Sequence, residues 1–442
     1  SEDVIGKRTR ALFMIVMFLL LLMVNAVFGV VISRLFVETS TAVFPAWSAI
    51  VVALIIGQLI HRNFNLTVLS ICGVAALYAS IYVGSQLPIT LPQEMLGLTP
   101  NGSWIVILFM YAAIASILPV WVLLQPRDFI NGLQLFVGLV LLYGAVLLSL
   151  PDITAPAFNN MVSENSPSLL PLLFVTIACG AVSGFHGIVS SGTTSKQLDK
   201  EPDSRFVGYL GAVGEGTLAL VTIIAVTGVG LATDAERWHE IYNEYGSAGA
   251  AEFVQGGAQI IQNGWGVPLG ISTTLLATMV ILFAATTMDT GVRLQRYIIQ
   301  EWGQIYDIPI LSNSIFTTLI AVGSCLLLAF GAGGASGSGG LTIWPLFGST
   351  NQILAGLTLL VISVMLIKAG RPARYTLIPM VFVLITSTWA ALIKLVEWYQ
   401  NGEWLLVTID VIVLITSVLV TLEAISVIAK YRRENLSSKP IS

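Results

Sequence analysis

Residues 179–200, CGAVSGFHGIVSSGTTSKQLDK, bring one histidine, four glycines, four serines and two threonines directly after the apolar run LLPLLFVTIA. Ser183, His186 and Ser190 fall at i, i+3 and i+7, so any helical portion carries all three on one face. Imidazole exchanges a proton near neutral pH. Glycine costs about 1 kcal/mol relative to alanine inside a helix, and serine competes for backbone hydrogen bonds, so Gly180, Gly184, Gly187 and Gly192 predict a break at about 180–192. Peptide N–H groups freed at such a break bind anions, and freed carbonyls bind cations. A glycine-lined helix packed on a neighbour, with a neutral imidazole donating to a carbonyl, accounts for the same residues. On sequence both readings stand.

Two acidic residues sit inside apolar runs. Glu215 shares a helix face with Gly208, Gly211, Ala212 and Ala219, which predicts close contact with another helix and a carboxylate turned into the bundle. It is either a proton relay or a structural group tied to that helix. Asp289, in AATTMDTGVRLQRY, has Arg293 four residues on, which predicts a local salt bridge. The hydroxyls of Thr286, Thr287 and Thr290 beside it would suit a cation. Asn351 and Gln352, in LTIWPLFGSTNQILAGLTLL, put amides at apolar depth, where they either glue helices together or line a path. Arg127 and Asp128 are read as a structural turn around Pro126, with Pro119 kinking the helix before it. Asp410 and Glu423 are expected in structural pairs, and His61 at a wet helix end.

The elements that carry these residues follow from composition. The chain of 442 residues is 56% hydrophobic and 10% charged, with a mean hydropathy of +0.87, too few charges to cover a soluble surface. Runs of about 20 apolar residues cross the hydrocarbon core as helices, which satisfy their own backbone groups in lipid. Twelve such runs are predicted, at about 11–33, 42–61, 66–85, 103–124, 129–150, 170–192, 206–231, 269–292, 312–332, 341–367, 375–398 and 404–429. With the first run starting inside, 17 of the 20 basic residues fall on inner loops, and only Arg34, Arg237 and Lys394 fall outside. That alternation places both ends of the chain in the cytoplasm.

The expected fold is therefore all-α, a polytopic membrane helix bundle forming one transmembrane domain over residues 1–442. Residues 232–268 form an outer loop with one or two short helices, residues 331–340 (GAGGASGSGG) a flexible turn, and residues 430–442 a cytoplasmic tail. Cys72, Cys179 and Cys325 lie in apolar runs without metal-ligand spacing, so neither disulfide nor metal is expected. No Walker A, GxSxG or HExxH pattern is present, which argues against an enzyme. Nucleic acid is not an expected partner. A solute or ion channel using the break as a filter, or a nutrient sensor that binds without transporting, remain as alternatives.

Four long motifs spread over residues 118–360 then carry a resemblance: LPVWVLLQPRDF, TIACGAVSGFHGIVSSGTTSKQL, ATTMDTGVRLQRYIIQEW and IWPLFGSTNQILAGLTLLV. Together they resemble the carbon starvation protein A family of bacterial inner-membrane transporters. The resemblance implies a secondary transporter of peptides or small carboxylates such as pyruvate, proton-coupled, without a cofactor, and induced when carbon runs short. It also implies an inverted-repeat, broken-helix core of the amino acid-polyamine-organocation superfamily, with the bilayer and a small-molecule substrate as partners. Gly180, Ser183, Gly184, His186, Ser190, Ser191, Asn351 and Gln352 are the substrate-binding residues carried over, and Asp289 joins His186 and Glu215 as a coupling candidate. Members of the family have a further N-terminal region with a broken helix. Here the chain opens on Ser1 with a span within about ten residues, so a truncated chain holding one half of the substrate site is expected.

Overall fold

The computed structural model describes residues 6–95, 97–157, 168–228, 235–242, 249–331 and 333–437. The helices in chain order are α1 (Lys7–Glu38), α2 (Val43–His61), α3 (Leu66–Gly84), α4 (Pro100–Ile117), α5 (Leu124–Ser149), α6 (Phe174–Thr176), α7 (Ala178–Ala181), α8 (Gly184–Gly192) and α9 (Asp203–Thr227). There follow α10 (Ala235–Tyr242), α11 (Ala250–Trp265), α12 (Leu269–Ile305), α13 (Ser314–Gly331), α14 (Gly339–Thr342), α15 (Trp344–Lys368), α16 (Arg374–Asn401) and α17 (Trp404–Ser437). Among the described residues eleven helices are long and apolar enough to cross a membrane, and together they make an all-α polytopic membrane protein. The sixth expected span, 170–192, is the one that is not continuous.

Local chemistry sets the boundaries. Asn65 accepts the N–H groups of Thr67 and Val68 to cap α3, and Thr99 caps α4 with Pro100 in its first turn. The expected kink at Pro119 is instead a stop, because α4 ends at Ile117. α12 runs thirteen residues past its expected end at 292, to Ile305, since nothing in RLQRYIIQEWGQI breaks a helix. Arg293 and Arg296, assigned to a loop on sequence, therefore lie inside a helix, and Arg127 lies in the first turn of α5; all three are buried.

The chain divides into two compact units. One comprises the described residues within Ser1–Val24, Pro167–Gly208 and Thr342–Ser442, and is built on α15, against which α16, α17 and the segment α6–α8 pack. The other comprises those within Asn25–Ser166 and Tyr209–Leu341, and is built on α12, which packs against α2, α3, α4, α5, α11 and α13.

In the second unit the glycine-rich turn is not the loose linker expected. Asn101 Nδ2 donates to the Ser336 carbonyl at 2.7 Å, and Ser33 Oγ donates to Asn101 Oδ1 at 2.6 Å. Gly340 lies against Ala26 and Val27 of α1, so closely that a Cβ there would come within 2.8 Å of the Ala26 carbonyl. Ala332 lies outside the described residues. Of the expected outer loop, α11 packs its apolar face on α5 and α12 as part of the unit, whereas residues 232–234 and 243–248 lie outside the described residues. The expected tail continues α17 as helix to Ser437, and residues 438–442, with Lys439, lie outside the described residues.

The small-residue face of α9 does not pack as expected. A Cβ at Gly208 or Gly211 would meet nothing within 4 Å, and Ala212 and Ala219 are exposed. Small residues permit a close contact without supplying one.

Candidate functional site

The break in the sixth span is narrower than the sequence predicts. Helical geometry lapses at Ile177 and again at Val182 and Ser183, while the glycine- and serine-rich residues 184–192 form the helix α8. Ser183, with extended backbone, caps α8, its Oγ accepting the His186 N–H at 3.3 Å. The serines beyond it turn inward on their own helix: Ser190 and Ser191 donate to the Gly187 carbonyl at 3.0 and 2.9 Å. Of these, it is the Ser183 cap that offsets the low helix propensity the composition signals.

α15 holds the interrupted segment in place. Asn351 Oδ1 accepts the Phe185 N–H at 2.8 Å and the Ser183 hydroxyl at 3.3 Å. Gln352 Nε2 donates to the Phe174 carbonyl at 2.9 Å. Gly348, one turn earlier on the same face, lies against the Val175 carbonyl, and Gly184 fits against the Asn351 carbonyl and Leu354. Gly348, Asn351, Gln352 and Ala355 thus form a buried stripe at i, i+3, i+4 and i+7 whose two amides serve the broken backbone. Asn351 occupies the start of α8 as an anion would, accepting from a helix N-terminus.

Ser183, Gly184, Asn351 and Gln352 are therefore brought together, while the rest of the predicted set stands apart. The single face expected for Ser183, His186 and Ser190 is split. Ser183 turns to Asn351, whereas His186 and Ser190 are exposed. Gly180 and Ser191 are exposed too, and a Cβ at Gly180 would meet nothing.

The other candidates lie in the second unit. Glu215 is half-buried midway along α9. Asp289 does not pair with Arg293 as the spacing predicts. Its Oδ2 takes the Arg127 guanidinium at 2.6 Å and the Tyr111 hydroxyl at 2.7 Å, and Arg127 also donates to Tyr111. Asp289 and Arg127 are each 2% exposed, and a cavity of about 20 Å³ borders Tyr111 and Arg127. Arg293 reaches the Ala115 and Leu118 carbonyls at 2.7 Å and Arg296 the Ser116 carbonyl at 3.0 Å, completing the last turn of α4. With those carbonyls as partners, Arg293 is drawn away from Asp289.

Sequence reasoning read Arg127 only as part of a structural turn and passed over Tyr111, and over a buried network in which Gln295 Oε1 accepts from Asn25 at 2.9 Å and from the Cys325 thiol at 3.4 Å. The signal was available in Asn25, an amide inside an otherwise apolar run. Among the described residues no group of three or more metal-ligating side chains occurs.

A bundle of membrane-spanning helices with one interrupted span, its free backbone groups met by amides of a neighbouring helix, defines an integral membrane protein of the broken-helix kind. The family model of the carbon starvation protein CstA matches residues 1–236 and 226–390, and the chain belongs to that family. It is similar to the peptide transporter CstA of Campylobacter jejuni, 28% identical over 458 residues covering 91% of this chain and 64% of that protein. It is similar also to the pyruvate/proton symporter BtsT of Escherichia coli, 30% identical over 455 residues, covering 86% and 63%. The Bacillus subtilis peptide transporter CstA is 29% identical over 401 residues, covering 81% and 65%. The chain spans less than two thirds of the length of each of these relatives.

Proposed function

We propose that the chain is the helical body of a secondary active transporter that imports peptides or small carboxylates such as pyruvate, driven by protons and linked to carbon starvation. The names of its relatives support the substrate class, a peptide transporter in one branch and a pyruvate/proton symporter in another. The distribution of Lys and Arg supports both ends of the chain lying in the cytoplasm, and the bacterial relatives support a bacterial inner membrane. The proton is the only co-substrate this reading requires, and no cofactor enters it.

The observation that carries the reading is the bond of Asn351 to the Phe185 N–H and the Ser183 hydroxyl. A substrate carboxylate offers the same acceptor oxygens with a full charge, so it competes with Asn351 for the start of α8. Gly180, Ser183, Gly184, His186, Ser190 and Ser191 line its route, with Asn351 and Gln352 holding the segment. His186, Glu215 and Asp289 are the coupling candidates.

The test is uptake by the intact protein in proteoliposomes, with labelled pyruvate, other carboxylates and peptides under imposed proton or sodium gradients. Saturable, uphill accumulation under an inward proton gradient is expected. Passive equilibration alone would mean a channel, and binding without counterflow a sensor.

A further inference from the structure

Asp410 was expected to be paired, and among the described residues it has no partner. It sits six residues past Trp404, the first residue of α17, and is fully buried, with neither carboxyl oxygen hydrogen-bonded to any described residue. Glu423 on the same helix is compensated, taking Arg8 at 3.3 Å and the Thr9 hydroxyl. That pair lies thirteen residues beyond Asp410, roughly 20 Å along the helix.

Among the described residues, the elements packed against α17 offer Asp410 no counter-charge. α15 has no ionisable side chain before Lys368. On α16, Lys394 is the cation nearest in level, and it pairs with Glu397 at 2.7 Å. Arg374 and Tyr375, at the far end of α16, bond each other at 2.8 Å, and the Tyr399 ring meets Trp404 edge-on at 5.4 Å. On α1, Lys7, Arg8 and Arg10 cluster at the end that reaches Glu423.

We propose that Asp410 is a proton-binding site, a carboxyl that is neutral in this conformation and releases its proton when the surrounding helices admit water. An ionised carboxylate here would have neither donor nor cation, whereas the neutral acid has a single hydrogen to place. Carboxyls kept at such depth mark proton pathways. That this proton is the one driving uptake rests on the transporter reading above; that Asp410 binds a proton does not.

Two measurements test it. Dicyclohexylcarbodiimide adds a protonated carboxyl across one C=N bond to give an O-acylisourea, which rearranges to a stable N-acylurea. On the reconstituted protein, mass spectrometry should find this adduct at Asp410, declining as pH rises. An unlabelled Asp410 at acid pH, or labelling that does not vary with pH, overturns the proposal.

In proteoliposomes Asp410→Asn, close in shape to the neutral acid and checked for unchanged thermal unfolding, should exchange labelled substrate across the membrane. It should fail to accumulate that substrate under a proton gradient, and Asp410→Glu should recover part of the accumulation. Accumulation by Asp410→Asn equal to wild type removes Asp410 from coupling. A wild-type protein that accumulates nothing overturns the transporter reading, and the labelling pattern then decides Asp410 alone.

Discussion

Asn351 Oδ1 accepts the backbone N–H of Phe185 at 2.8 Å across 166 residues of sequence, so an amide on α15 completes the first turn of α8. Without it, a donor freed by the break at Val182 and Ser183 would stay buried and unmet. Asn351→Leu should therefore lower stability by about 1–3 kcal/mol, read as the shift in thermal unfolding of the purified protein. An unshifted transition would mean that the amide is dispensable to the break.

Asn351→Asp separates holding from binding. A carboxylate at a helix N-terminus is favourable by about 0.3–1 kcal/mol, so the fold should survive. The fixed charge should repel an anionic substrate, so uptake of pyruvate should fall while stability does not. Wild-type uptake by this variant would contradict the competition assigned to Asn351.

Gly184 and Gly180 form an internal contrast. A Cβ on Gly184 would come 2.7 Å from Leu354 Cβ and 2.8 Å from the Ala355 nitrogen, whereas one on Gly180 meets nothing. Gly184→Ala should destabilise by about 1–3 kcal/mol as an overpacked contact. Gly180→Ala, on an exposed face, should stay within about 0.5 kcal/mol of wild type. Equal effects at the two sites, measured by unfolding, would mean that the α8–α15 contact is looser than described.

Most of the scaffold was legible from hydropathy, because twenty-residue apolar runs have one solution in lipid. The sixth run was legible as broken, yet its glycines overstated the length of the break. Propensity favours unwinding at 184–192, but the Ser183 cap, the Asn351 bond to the Phe185 N–H and the close packing of Gly184 on α15 keep those residues helical. Pairings between distant residues were not legible. Spacing pointed Asp289 to Arg293, and only packing reveals that Arg293 is spent on the carbonyls ending α4 while Arg127, 162 residues away, takes the carboxylate.

That buried pair gives a fourth test. Arg127→Met alone should cost about 3–5 kcal/mol by leaving Asp289 uncompensated, and the double change with Asp289→Leu should recover most of it. A double-mutant cycle in unfolding free energy measures the coupling. Additive losses would contradict the pairing.

His186 is exposed and its ring meets that of Phe185 at 6.2 Å. His186→Ala should leave stability within about 0.5 kcal/mol of wild type while abolishing proton-driven uptake. Unchanged uptake would remove the imidazole from the mechanism.

The most direct measurement asks whether substrate reaches the interrupted segment. With Cys72, Cys179 and Cys325 replaced, a single cysteine introduced by His186→Cys or Ser190→Cys is labelled in proteoliposomes by a water-soluble maleimide. Pyruvate or a peptide should slow labelling at both positions and an untransported solute should not. Equal rates with and without substrate would contradict the placement of the binding site at the broken helix.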